Sequence, residues 1–208
     1  MVEHTSHIYL PGRRKILITA PHAETHTREG QPKHAEPKTG LIARYLSEKF
    51  NCHALVTNGL QEHDPNYDVT CPLTLGDCPF KDAISAIVEA SDIQLVIDLH
   101  QLHPMRQYDF VIGTNDGKTV VGNEFLVEKL NGLLLQLADR VLLNPPFGYS
   151  ARHRGTIARY VAEAHGIPAI QLEINSQLTD EWENVARQLA RFVVSVAPMN
   201  RKGDIQKQ

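Results

Sequence analysis

Three short apolar runs constrain what this chain can fold into. Lys15-Ile-Leu-Ile-Thr-Ala20, Leu95-Val-Ile-Asp-Leu99 and Ala169-Ile-Gln-Leu172 each read as a buried strand. Longer amphipathic stretches alternate with them, which is the pattern of βα units and predicts an α/β fold. Each run ends on a residue with chemistry to offer: Pro21-His22, His100 and Glu173. In an open α/β sheet, ligands bind in the crevice beyond the carboxyl ends of the strands. Two imidazoles and a carboxylate arriving there from three distant parts of the chain point to a metal-assisted hydrolytic site.

The rest of the chain fills in around these runs. A polar, His-rich loop spans His22 to Lys38, and a helix is expected over Thr39–Phe50, with Leu41, Ile42, Tyr45, Leu46 and Phe50 at helical spacing. A second strand is predicted over His53–Thr57. Residues 58–80 carry turn residues and few periodic apolars, so they read as a long functional loop that lines a site. A helix over Lys81–Ser91, a strand over Tyr108–Thr114 and a helix over Asn123–Arg140 follow. A short strand at Val141–Leu143, a helix over Thr156–His165 stopped by Gly166 and Pro168, and a last helix from Thr179 or Asp180 to Ala197 complete the chain. Residues 1–199 are expected to form one catalytic domain, and the polar stretch 200–208 a frayed tail.

Composition narrows the function. The formal net charge is −3 and the basic residues are scattered, which argues against nucleic acid or an anionic membrane as partner. No apolar stretch approaches the ~20 residues that span a bilayer. The first residues lack the basic-then-apolar pattern of a secretory signal. Three cysteines (Cys52, Cys71, Cys78) with no CxxC pair argue against a disulfide framework and point to a reducing cytoplasm. Cys71 and Cys78 flank a loop and offer only two ligands to a metal.

A catalytic zinc takes three protein ligands from His and Asp/Glu, while a further carboxylate handles the proton of the attacking water. The sequence offers His22 and His100 as ligands and Glu173 as base. Glu24, Glu29 and Glu36 compete for the third position. Glu36 is preferred because a ligand at the entry to a helix is held by a rigid element, with Glu24 next. Asp98 lies two residues before His100 on the same strand face, where it either orients that imidazole or bonds a neighbour in the core. The histidines His26, His34, His63, His103 and His153 read as solvated loop residues, with lining of the crevice the alternative for any of them. Arg28, Arg106, Arg152 and Arg154 all follow strand ends. Arginine is suited to bidentate carboxylate recognition, so Arg106 and Arg154 lead as anchors for an acidic substrate.

These segments resemble the N-formylglutamate amidohydrolase family, within the wider zinc carboxypeptidase-like and aspartoacylase-like fold group. The resemblance rests on Pro21-His22, Ile97-Asp-Leu-His100, Asp109-Phe-Val-Ile-Gly-Thr114, Asn144-Pro-Pro-Phe147, the Gly155 turn and Gly166-Ile-Pro-Ala-Ile-Gln-Leu-Glu-Ile-Asn175. It implies a three-layer α/β/α fold with a mixed, mostly parallel central sheet. It also implies one zinc held by His22, an acidic residue best matched by Glu36, and His100, with Glu173 in catalysis. Asp64-Pro-Asn66 resembles a segment carrying an Asp and an Asn near the site, although Tyr67 stands where a basic residue is expected. The implied activity is hydrolysis of the amide bond of a small N-acyl amino acid such as N-formylglutamate. A zinc exopeptidase or γ-glutamyl hydrolase, and a non-catalytic metal- or ligand-binding protein, are the rival readings. No GxxxxGK[ST] or GxGxxG fingerprint supports a phosphoryl-transfer role.

Overall fold

Each predicted apolar run is a strand. The computed structural model describes residues 2–3, 6–66 and 78–196. In chain order its elements begin with β1 (Val2–Glu3), β2 (His7–Leu10), β3 (Arg14–Ala20), β4 (His26–Arg28), β5 (Gln31–Lys33), α1 (Pro37–Phe50) and β6 (Cys52–Thr57). They continue with α2 (Pro79–Ser91), β7 (Leu95–Leu102), β8 (Phe110–Gly113), α3 (Glu124–Leu134), β9 (Val141–Leu143), α4 (Ile157–His165), β10 (Ala169–Asn175) and α5 (Trp182–Ser195). Among the described residues, eight strands form one sheet in the order β1-β2-β6-β3-β7-β10-β8-β9. The four central strands β6, β3, β7 and β10 are mutually parallel, while β2 and β8 pair antiparallel at their flanks. This is the expected mixed α/β/α sandwich.

Strand alternation decides which helices cover which face. Ile16, Ile18, Ile97, Leu99, Leu172 and Ile174 pack with α1, α3 and α5 in one core cluster. Leu17, Val96 and Ala169 pack with α2 and α4 in the other. On this second face the chemistry changes along the strands. Beyond Leu17, Val96 and Ala169 come Thr19, Asp98 and His100, and Gln171 and Glu173, all buried. Helices α2 and α4 therefore cover an apolar half of the sheet, and a polar half is left at the carboxyl ends. The chain also switches direction here, since β6 and β7 flank β3 on opposite sides and their helices α1 and α2 lie on opposite faces. A crevice at the carboxyl ends of β3 and β7 follows from that switch.

Several local predictions need correction. The His-rich loop contains the β4–β5 hairpin, whose two-residue turn Glu29-Gly30 has φ of 52° and 73°. Both values are positive, the pattern of the tight hairpin turn in which glycine carries no steric penalty. The helix expected to reach Arg140 stops at Leu134, because 135–140 fold into turns that lead into β9. Of the 58–80 loop, Pro79 and Phe80 already belong to α2, while 67–77 lie outside the described residues, as does the 200–208 tail. Cys78 is disulfide-bonded and Cys52 is a buried free thiol. An odd count argues against a framework of bridges but leaves room for one. Among the described residues, no helix is long and apolar enough to cross a membrane.

Candidate active site

Three of the predicted residues converge at the crevice. His22 follows β3, His100 lies near the end of β7, and Glu36 caps the N-terminus of α1. The hairpin excursion after His22 returns to its starting point, where the Glu36 backbone N–H donates to the His22 carbonyl at 2.7 Å. That closure brings Glu36, and neither Glu24 nor Glu29, beside the two imidazoles. Glu24 is exposed and Glu29 sits exposed at the hairpin tip, whereas the Glu36 carboxylate lies 3.4 Å from His22 Nδ1 and 3.9 Å from His100 Nδ1. Its Oε2 also accepts the Gln101 N–H at 2.9 Å. Glu173 pairs with His100 across β10 and β7, on the same sheet face.

The orientation of the two imidazoles is the central feature of the site. His100 Nε2 donates to Asp98 Oδ2 at 2.8 Å, and His22 Nε2 donates to Asp64 Oδ1 at 2.7 Å. With both Nε2 atoms so committed, the two Nδ1 atoms face each other at 3.1 Å, and the ring planes are inclined by 64°. Two ring nitrogens that close need a shared proton or a cation between them, and the Glu36 carboxylate stands beside the gap. His22, Glu36 and His100 thus form a compact group of metal-type donors, each imidazole backed by a carboxylate as in carboxylate–histidine–metal arrangements. Asp98 does both things weighed for it, since its Oδ1 also accepts from Thr19 Oγ1 at 2.7 Å in the core.

Electrostatics follow the same geometry. Burial alone would depress the His22 pKa, but the charge of Glu36 and the hydrogen bonds to Asp64 and Glu36 outweigh it and lift it to about 10. His100 is also raised, because Asp98 overcomes its burial. Burial works against the charged forms of Glu36 and Asp64, yet the imidazoles hold both below the usual carboxylate range, with Arg28 adding to the effect on Asp64. Glu173 differs. Burial pushes it up to about 7, only partly opposed by His100. Its Oε1 accepts from Gln171 Nε2 at 2.8 Å.

Other predicted residues fare unevenly. His34, His63, His103 and His153 are exposed as expected. His26 is not: it is 2% exposed and its ring stacks flat on His22. Its position on β4 between turn-forming residues carries no burial signal in the sequence. Asp64 and Asn66 do border the site, with Asn66 Oδ1 accepting the Ile157 N–H at 2.8 Å. Arg106 is exposed, its guanidinium 5.5 Å from the Tyr149 ring centre, and its loop is tied to the end of β10 by Asn175 Nδ2, which donates to the Arg106 and Tyr108 carbonyls. Arg154 is exposed, and Arg152 is turned away into an ion pair with Asp116.

A mixed α/β/α sandwich with a His–Glu–His cluster at its topological switch defines the structural class. Within it, this chain has the fold of an N-formylglutamate amidohydrolase from Ralstonia eutropha JMP134, with a TM-score of 0.63 at 14% identity over 93% of this chain and 97% of that one. It also superposes on a bacteriophage poly-γ-glutamate hydrolase, with a TM-score of 0.52 at 13% identity over 94% of this chain and 91% of that one. A metallo-carboxypeptidase from Pseudomonas aeruginosa matches with a TM-score of 0.58 at 12% identity, over 90% of this chain and 60% of that longer one. At these identities the likeness is one of fold. No protein-family model matches the sequence, and no curated protein matches it.

Proposed function

We propose that this protein is a metal-dependent hydrolase of an amide bond, with zinc as its ion and a small acidic N-acyl amino acid such as N-formylglutamate as its substrate. One observation carries the reading: two buried imidazoles whose Nδ1 atoms face each other at 3.1 Å beside the Glu36 carboxylate, with both Nε2 atoms already committed to Asp98 and Asp64. That donor set fits a divalent cation held by His22, Glu36 and His100, with coordination left over for substrate and water. A cation there supplies Lewis acidity, polarising the amide carbonyl and making water a nucleophile near neutral pH.

The remaining chemistry falls to side chains of this chain. Glu173 is the base: Gln171 occupies its Oε1, so Oε2 takes the proton from the attacking water and returns it to the leaving nitrogen. A pKa lifted to about 7 by burial suits a group that must both accept and release a proton. Arg106 is the leading anchor for the substrate carboxylate. Asn175, which holds its loop, is two residues beyond Glu173 on the same face of β10. Arg154 is the second anchor. A γ-glutamyl or peptide bond is the second reading, supported by the activities named for the poly-γ-glutamate hydrolase and the metallo-carboxypeptidase that share the fold.

Glu173→Gln tests the reading. The variant should keep one zinc per chain and lose turnover of N-formylglutamate by about 10²–10⁴-fold, while His22→Ala and His100→Ala lose the metal. Near-wild-type hydrolysis by Glu173→Gln, or wild-type protein that takes up no metal, overturns it. A survey of N-acyl amino acids against γ-glutamyl and peptide substrates separates the two readings.

A further inference from the structure

The β4–β5 hairpin turns two side chains toward the back of His22. His26 and Arg28 flank Thr27 on β4 and so share a face. Arg28 Nε donates to Asp64 Oδ2 at 2.5 Å, while the Asn66 N–H and His22 Nε2 donate to Asp64 Oδ1 at 2.9 and 2.7 Å. The His26 ring lies on the His22 ring, centroids 4.0 Å apart and planes within 8°. Among the described residues His26 Nε2 is buried without a hydrogen bond, 3.5 Å from Asp64 Oδ2.

His22, His26 and Asp64 together form a second group of metal-type donors, but two features make it a poor cation site. Arg28 already neutralises Asp64, and imidazoles stacked face to face cannot aim their in-plane lone pairs at one point between them. The arrangement suits a different task, which is fixing one ring. The bond from His22 Nε2 to Asp64 decides which ring edge faces Glu36 and His100, Arg28 holds Asp64 in place, and the stacked ring sets the plane of the imidazole.

We infer that His26 and Arg28 are positioning residues for His22, acting by ring stacking and through Asp64 to keep His22 Nδ1 turned to Glu36 and His100. The inference rests on the metal-centre reading above. It assigns the His26 contribution to the flat ring and not to its unbonded nitrogen.

The test uses full-length protein and the metals alone. Zinc affinity is measured by competition with a chromophoric chelator, and cobalt(II) is substituted so that its visible absorption reports ligand geometry. Removing supports of a metal ligand costs about 10–100-fold in affinity, so His26→Ala and Arg28→Met should each weaken zinc binding within that range and alter the cobalt band. His26→Phe, which keeps a flat ring and discards both nitrogens, should recover most of the loss. Circular dichroism of the metal-free variants controls for folding, and should His26→Ala not fold, His26→Phe and Arg28→Met carry the test. Zinc affinity and cobalt spectra unchanged in His26→Ala and Arg28→Met overturn the inference and leave the metal centre standing. So does a His26→Phe protein no better than His26→Ala. Wild-type protein that binds neither zinc nor cobalt removes the metal centre itself, and the inference with it.

Discussion

Replacing Asp98 with asparagine is the sharpest perturbation of the site that leaves every proposed ligand in place. Asp98 is fully buried and divides its two oxygens between Thr19 Oγ1 at 2.7 Å and His100 Nε2 at 2.8 Å. An amide has one acceptor where the carboxylate has two. With its oxygen on Thr19, its NH₂ group meets His100 Nε2, which then has to accept. The imidazole proton moves to Nδ1, the atom that lies 3.1 Å from His22 Nδ1 and faces Glu36. A cation must then displace that proton as well as bind a less basic ring. Loss of such a support costs about 10–100-fold in metal affinity, and the tautomer change puts Asp98→Asn near the upper end, about 2.7 kcal/mol. Thr19→Val leaves the Asp98–His100 bond intact and should cost less than about 10-fold, consistent with the ~1 kcal/mol net worth of one hydrogen bond. Chelator competition at one fixed pH measures both. Asp98→Asn protein that binds zinc within twofold of wild type, or Thr19→Val protein that loses as much, refutes the reasoning.

Metal-free protein should become less stable as pH rises above neutrality. His22, lifted to about 10, and His100, also raised, bind protons in the folded chain that the unfolded chain has released above about 6.5. Their stabilisation is therefore complete below that pH and disappears as pH climbs through the folded values; urea titrations at pH 6.5, 8 and 9.5 check the slope. Zinc competes with those same protons, so its affinity should rise over this range and the loaded protein should lose the trend. Gly40→Ala should destabilise by about 1–3 kcal/mol through overpacking, despite alanine's better helix propensity. A Cβ there would lie 3.0 Å from Ala23 Cβ and 3.2 Å from Val56 Cγ1, both buried in the core; thermal melts report it. Arg106→Ala should raise KM for N-formylglutamate more than it lowers kcat, and steady-state kinetics on that substrate and an uncharged N-acyl analogue show whether the effect follows the carboxylate.

The three apolar runs and the residues that end them were legible because their signals are local. Alternation with period two, a run of Val, Ile and Leu, and an abrupt change to Pro21-His22, His100 or Glu173 need only neighbouring residues to be read. The same holds for the Asp98–His100 pair, whose spacing of two puts both on one strand face whatever the sheet order. What the tertiary structure alone decided is which distant residues meet those strand ends. Glu36, and not Glu24 or Glu29, lies beside the two imidazoles because a hairpin returns the chain to the His22 carbonyl, and no local pattern encodes that closure. Asp64 reaches His22 across 42 residues, and Arg28 reaches Asp64 across 36. His26 looks like any polar loop histidine until β4 lays it on the His22 ring. Strand identity is written in the side-chain period, while the partners of a ligand depend on loop closure and inter-strand register, which are settled only when the whole sheet packs.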